Sequence, residues 1–233
     1  MIGIIGAMKE EVSSFVNSMK QIKKEQRAGL EFYCGSLLEK DIVVVQSGIG
    51  KVNAALATQL LIDFYRPSKL IFTGLAGSGD FSVAIGDFVL ATSLVQHDFD
   101  LCHFGRELGV IPNVGRFIPC DSNLNSLLVK AFNKTKEKNS ALGNLHLGVI
   151  ASGDCFIARK EDVRRIGQEF NAIAVEMEGA AFAQVCFLNK IPFSVLRLIS
   201  DNADEMAVAD FPLILKKASK VEIEIVKELF NLI

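Results

Sequence analysis

Residues 194–205 read SVLRLISDNADE, an apolar run that Asp201 follows by a single residue. Val195, Leu196, Leu198 and Ile199 mark a buried strand, and the residues after Asp201 form a polar turn. Upstream, residues 173–179 read IAVEMEG, a second apolar run closed by Glu178. In open α/β sheets ligands bind outside the carboxyl ends of the strands, so carboxylates at these places point at a pocket rather than at solvent. Glu11, in the first turn of a helix after the N-terminal strand, is placed to lean over the same edge.

Outward from this strand, short apolar runs alternate with helical patterns, which predicts a mostly parallel sheet covered by helices. Strands are expected at Ile2–Ile5, Leu70–Thr73, Asp87–Val95, Leu145–Ser152, Ala172–Glu176 and Phe193–Ser200, with a hairpin of Glu31–Leu37 and Ile42–Gln46. Helices are expected from about Lys9, at Val52–Tyr65 (stopped before Pro67), Asn123–Lys136, Gly179–Leu188 and Phe211–Leu232. Residues 74–79, GLAGSG, read as a glycine-rich turn. Residues 96–119 show no period and carry three glycines and two prolines, the mark of a functional loop or an interface. No repeat or linker interrupts the chain, so residues 1–233 are expected to form one domain.

Half the residues are hydrophobic, enough for a sizeable core. No apolar run reaches the roughly 18 residues of a membrane span, and the N-terminus, MIGIIGAMKEEV, lacks the basic leader of a signal peptide. A net charge of −2 with scattered basic residues offers no field for nucleic acid. Five cysteines without a CxxC pair fit a reducing cytoplasm. Three histidines without helical ligand spacing give no reason to expect a metal.

The glycine segments fail the phosphate-loop templates. SGIGKV has Val45 where a P-loop needs its first glycine and Val52 where it needs Ser or Thr, and the glycines at 74, 77 and 79 are not GxGxxG. Two readings stay open for them: tight strand-to-helix turns, or backbone brought close to a ligand. Each acidic residue also has two readings. Glu10 and Glu11 suit the dipole of a helix start. Glu176 and Glu178, two apart, share a face in an extended segment, with Met177 opposite, or pair with the helix starting at Gly179. Buried carboxylates need a partner or a ligand, and ligand hydroxyls are a natural partner. Asp201 is either a turn aspartate or an acid, with Arg197 available to pair with a carboxylate on the same sheet face.

Six segments together resemble the 5′-methylthioadenosine/S-adenosylhomocysteine nucleosidase family of the purine nucleoside phosphorylase superfamily: IGIIGAMKEEV (2–12), SGIGKVNAA (47–55), TGLAG (73–77), SGDCFI (152–157), AVEMEGAA (174–181) and RLISDNAD (197–204). The resemblance implies a single-domain α/β fold with a central mixed, mostly parallel, twisted sheet, partly closed and flanked by helices. It implies hydrolysis of the N-glycosidic bond of 5′-methylthioadenosine, S-adenosylhomocysteine and 5′-deoxyadenosine, with no cofactor, in a cytoplasmic enzyme of methionine salvage. Asp201 resembles the acid that protonates adenine N7, oriented by Ser200, and Glu11 the base that activates water. Glu178 would hold the ribose hydroxyls and stabilise the charged sugar, with Met177 beneath it. Phe156 would stack on adenine, the Ile157 backbone would read its edge, and Ile49, Leu75, Ala76, Gly77 and Phe211 would complete the pocket. An oxocarbenium-like sugar and a leaving base that must be protonated give independent chemical reasons for such carboxylates.

The resemblance also implies a homodimer in which loop 96–119 closes the partner's alkylthio pocket through Phe104 and Pro112, with Leu101 nearby. Arg106 stands where an aromatic is frequent, Leu75 where some members have serine, and Ser78 where glycine is common. A phosphorylase of the same superfamily would need arginines around its phosphate, and the segments GAMKEE and TGLAGSG hold none. An aminofutalosine hydrolase remains the nearest alternative, and a non-catalytic nucleoside binder would not need both an acid and a water-activating base.

Overall fold

A computed structural model describes residues 1–80, 82–201 and 207–233, with the side chains of 207–214, 216 and 217 left out. In chain order the elements are β1 (Ile2–Gly6), α1 (Lys9–Ser18), β2 (Lys20–Arg27), β3 (Leu30–Leu37), β4 (Lys40–Gln46) and α2 (Lys51–Tyr65). Then come β5 (Lys69–Ser78), β6 (Phe88–Gln96), a 3-10 turn (Cys102–Phe104), the two-residue β7 (Ile118–Pro119), α3 (Ser122–Lys138) and β8 (Leu145–Ser152). The chain closes with α4 (Lys160–Phe170), β9 (Ala172–Glu176), α5 (Gly179–Asn189), β10 (Phe193–Asp201) and α6 (Ala207–Leu232).

All ten strands join one mixed sheet. Pairing runs β5–β10–β6–β8–β9 and returns from β9 to β5, so five strands close into a small barrel. The remaining main strands extend from β5 as β1–β4–β3–β2. β5 belongs to both parts: its first half lies beside β1, and its end turns to pair with β9 at Gly77 and Ser78.

The period-2 pattern of the buried strands explains the layers. Ile42 and Val44 of β4 face one core with Phe15, Phe132 and Phe230, while Val43 and Val45 face another with Leu61, Phe72 and Phe182. Helices α1, α3 and α6 cover the first face, and α2 and α5 the second. Each fully buried Leu, Ile or Phe side chain contributes on the order of 1.5–3 kcal/mol through burial.

Three segments depart from the sequence expectation. The hairpin is a three-stranded meander, because the charged stretch KQIKKEQR forms the exposed edge strand β2. Both of its turns, Ala28–Gly29 and Leu38–Glu39, have positive φ at the two central residues, the backbone of a tight right-twisting hairpin. Second, α4 was not anticipated, although Val163, Ile166 and Phe170 are spaced for one buried helical face. Third, the expected turn 74–79 is mostly strand: β5 continues to Ser78. Its glycines serve close backbone approach rather than reversal. A methyl group on Gly74 (φ +154°) would lie 2.5 Å from Glu11 Oε1, and one on Gly77 would lie 3.1 Å from Asp201 Oδ1.

Candidate active site

The parallel strands β1, β5 and β10 end on one side of the sheet, and β9 pairs antiparallel with the tip of β5, Val175 opposite Gly77. That crossing gathers Glu11, the 75–77 backbone, Met177, Glu178, Ser200 and Asp201 around one pocket with about 740 Å³ of empty space, partly open to solvent. Ile49, Phe156 and Ile157 line it from the loops before α2 and α4. Among the described residues, no Lys or Arg lines it.

Glu11 is buried, and its carboxylate is held from two sides. Oε2 accepts the N–H groups of Ala7 at 2.6 Å and Met8 at 2.9 Å, and Oε1 accepts that of Leu75 at 3.1 Å. Burial pushes its carboxyl above the ordinary range, while Arg197 and these amides pull the other way. The segment 6–8 thus fixes the rotamer of a residue four positions on, which a simple dipole partner would not require.

Glu176 and Glu178 divide along the two readings of their sequence. Glu176 accepts from the N–H groups of Glu178 at 3.1 Å and Gly179 at 2.8 Å, from the Ser152 hydroxyl, and from the buried Arg197 guanidinium. It anchors the start of α5. Glu178 turns into the pocket, where its Oε1 accepts the Gly50 N–H at 2.8 Å and its Oε2 lies 3.8 Å from Arg197. The SGIGK segment therefore grips a carboxylate of the protein itself. Burial and the neighbouring Glu176 push Glu178 up to about 7, against the pull of Arg197. Met177 lines the same pocket instead of pointing away, because the chain leaves the extended conformation at Glu178 to begin α5.

Asp201 is the last residue of β10 and is buried, with its Oδ2 accepting the Ser200 hydroxyl at 2.7 Å. Phe156 stands at the rim, 67 % exposed, an aromatic face free for a planar ring. Its loop is tied to the start of α2 by Asp154, which accepts the Lys51 N–H at 2.8 Å, and by Asp98, which takes the Lys51 ammonium at 2.6 Å and the Asp154 N–H at 3.0 Å.

Phe104 and Pro112 are exposed and do not line this pocket. Phe211 lies outside the residues whose side chains are described, as do Asn202, Asp204 and Glu205 of the polar turn. Sequence reading missed Ala7, Met8 and Cys155 in the lining, the amide of Gly50, and Glu222 behind Glu11. Glu222 had a signal: it falls on the stripe Leu215, Ala218, Glu222, Ile225, Leu229 that α6 buries.

A family model described as the phosphorylase superfamily matches residues 1–231. A 5′-methylthioadenosine/S-adenosylhomocysteine nucleosidase of Staphylococcus aureus is 40% identical over 220 residues, 94% of each chain. A mutant nucleosidase of Helicobacter pylori, solved with 5′-methylthioadenosine in its active site, is 39% identical over 100% of this chain and 98% of its own, with a TM-score of 0.92. A futalosine hydrolase mutant of the same organism is 38% identical, covers 100% and 99% of the two chains, and also has a TM-score of 0.92. By the matched family and by this degree of identity, the chain belongs to the phosphorylase superfamily and, within it, to the 5′-methylthioadenosine/S-adenosylhomocysteine nucleosidases.

Proposed function

We propose that this protein is an N-glycosyl hydrolase that cleaves 5′-methylthioadenosine and S-adenosylhomocysteine, with 5′-deoxyadenosine as a further substrate, into adenine and the sugar. The observation that carries this reading is one largely apolar pocket lined by Glu11, Glu178 and Asp201 and, among the described residues, by no cationic side chain. A phosphorylase has to bind an anion there. Arg197, the nearest guanidinium, bonds to Glu176, and Glu11 would repel phosphate.

Asp201 protonates N7 so that adenine departs neutral, and the Ser200 hydroxyl orients its carboxyl. Glu178 holds the ribose hydroxyls and stabilises positive charge as the sugar becomes oxocarbenium-like. Glu11, aimed by three backbone amides, takes a proton from the attacking water. Phe156 stacks on the base, the Ile157 backbone reads its edge, and Ile49, Leu75, Ala76, Gly77, Met177 and Phe211 shape the sugar and thioether ends. The exposed Phe104 and Pro112 support a homodimer in which loop 96–119 closes the partner's pocket. On this reading the enzyme serves methionine salvage and the removal of methyl-cycle by-products, in the cytoplasm. Among the described residues no helix is long and apolar enough to cross a membrane.

Asp201→Asn tests the assignment. Turnover is expected to fall by about 10²–10⁴, with nucleoside affinity, measured by calorimetry, kept within a few fold. Unchanged turnover would remove Asp201 from the chemistry. The similarity to a futalosine hydrolase favours a second reading, hydrolysis of an aminofutalosine nucleoside. Comparing kcat/KM for that nucleoside and for methylthioadenosine on one preparation ranks the two.

A further inference from the structure

Two consecutive amides of β5 are divided between two buried glutamates. The Leu75 N–H donates to Glu11 Oε1 at 3.1 Å, and the Gly74 N–H donates to Glu222 Oε1 at 2.9 Å. Glu222 comes from α6 and is fully buried. Three residues earlier on the same helix, the Ser219 hydroxyl accepts the Ser14 N–H at 3.3 Å and donates to the Glu11 carbonyl at 3.2 Å. α6 therefore grips Glu11 twice, at its own backbone and through the strand that supplies its amide donor.

Resting on the reading that Glu11 activates water, we propose that Glu222 is a positioning residue that acts in its neutral form, anchoring the Gly74 amide so that the Leu75 N–H stays on the Glu11 carboxylate. The groups facing it support the neutral form. Glu11 reaches it from α1 and Arg197 from β10, and Arg197 is shared with Glu176 and Glu178 at the β9–α5 junction. Burial and then the charge of Glu11 raise the Glu222 carboxyl well above the ordinary range, and Arg197 with the Gly74 amide offsets only part of this. Its Oε2 bonds to nothing among the described residues, an arrangement far less costly for a neutral carboxyl than for an anion. With the proton on Glu222, Glu11 ionises without a second anion behind it.

The test compares Glu222→Gln and Glu222→Leu with the wild type, reading phosphate-free adenine release from pH 4 to 9, thermal stability, and hydrogen exchange at the 74–75 amides. Glutamine keeps the neutral acceptor, so kcat at neutral pH should stay within about threefold, with wild-type amide protection. Leucine leaves the Gly74 N–H buried without a partner. Both amides should then exchange faster and kcat should fall at least tenfold with KM little changed. Loss of the Leu75 donor, which lowers the Glu11 pKa, should move the acidic limb of kcat to higher pH. A folded leucine variant with wild-type amide protection and an unmoved limb overturns the proposal. So does a glutamine variant that folds and loses more than tenfold, or one that fails to fold, since either shows that the charged form is required. A wild type that releases no adenine defeats the nucleosidase reading instead, and the amide-exchange comparison still decides whether Glu222 holds the strand.

Discussion

At the scale of single residues, the site works by placing more acidic groups than one buried cation can neutralise. Arg197 lies against the Phe72 ring, 4.5 Å from its centroid, and bonds to Glu176. Glu178 receives only a distant share of that charge and is pushed up to about 7. The sign of the consequence follows. A carboxyl whose folded pKa lies above its unfolded value favours folding while protonated, and that contribution is lost as pH rises through the folded pKa. Glu178→Gln keeps an acceptor for Gly50 and removes the ionisation, so it should match wild-type stability near pH 4.5. It should then gain progressively up to about pH 7, reaching roughly 3 kcal/mol at pH 8, as read by denaturant unfolding. A constant difference across that range would mean that Glu178 ionises as freely in the folded protein as in the unfolded chain. The same substitution should suppress turnover, because in the proposed mechanism it removes the charge that faces the sugar. Arg197 was legible in the sequence as a cation seeking a carboxylate; which of its two candidates it takes depends on how β9 meets α5.

At the scale of elements, β5 decides where the chemistry sits. It begins in the open sheet and ends in the barrel, and Gly74 is the point of passage, backed by Glu11 and Arg197. Gly74→Ala should destabilise the fold by roughly 3 kcal/mol through overpacking and backbone strain and displace Glu11. Thermal unfolding and kcat together test this, and a stable, fully active alanine variant would show that the passage has room. Most strands and helices were readable because their apolar periods agree with their burial: β1, β4 and β10 are runs of Ile, Val and Leu covered on both faces. β2 was not, since an exposed edge strand held by pairing with β3 carries no apolar alternation. α4 was hidden by its charge, with only three residues of its buried face marking it. The glycines of β5 looked like a turn because the groups that crowd them come from distant parts of the chain.

At the scale of the whole molecule, the thioether end of the pocket depends on the proposed partner subunit. Val52, at 77% exposure, and Leu56 lie one turn apart on α2 beside Ile49 at the pocket, and Phe104 is 82% exposed on loop 96–119. In the proposed homodimer, a second copy of the chain buries these residues and completes the site. Val52→Asp should therefore convert a dimer to a monomer in sedimentation and raise KM for methylthioadenosine at least tenfold. A wild type that is monomeric and fully active at micromolar concentration would contradict the dimer. The division of labour proposed for Asp201, Glu178 and Glu11 requires water, not phosphate, as the nucleophile. The most direct measurement is adenine release from 5′-methylthioadenosine by the purified protein in buffer stripped of phosphate, with the sugar product identified by mass. Full turnover yielding free methylthioribose is expected, and strict dependence on added phosphate, with a sugar 1-phosphate as product, would contradict it.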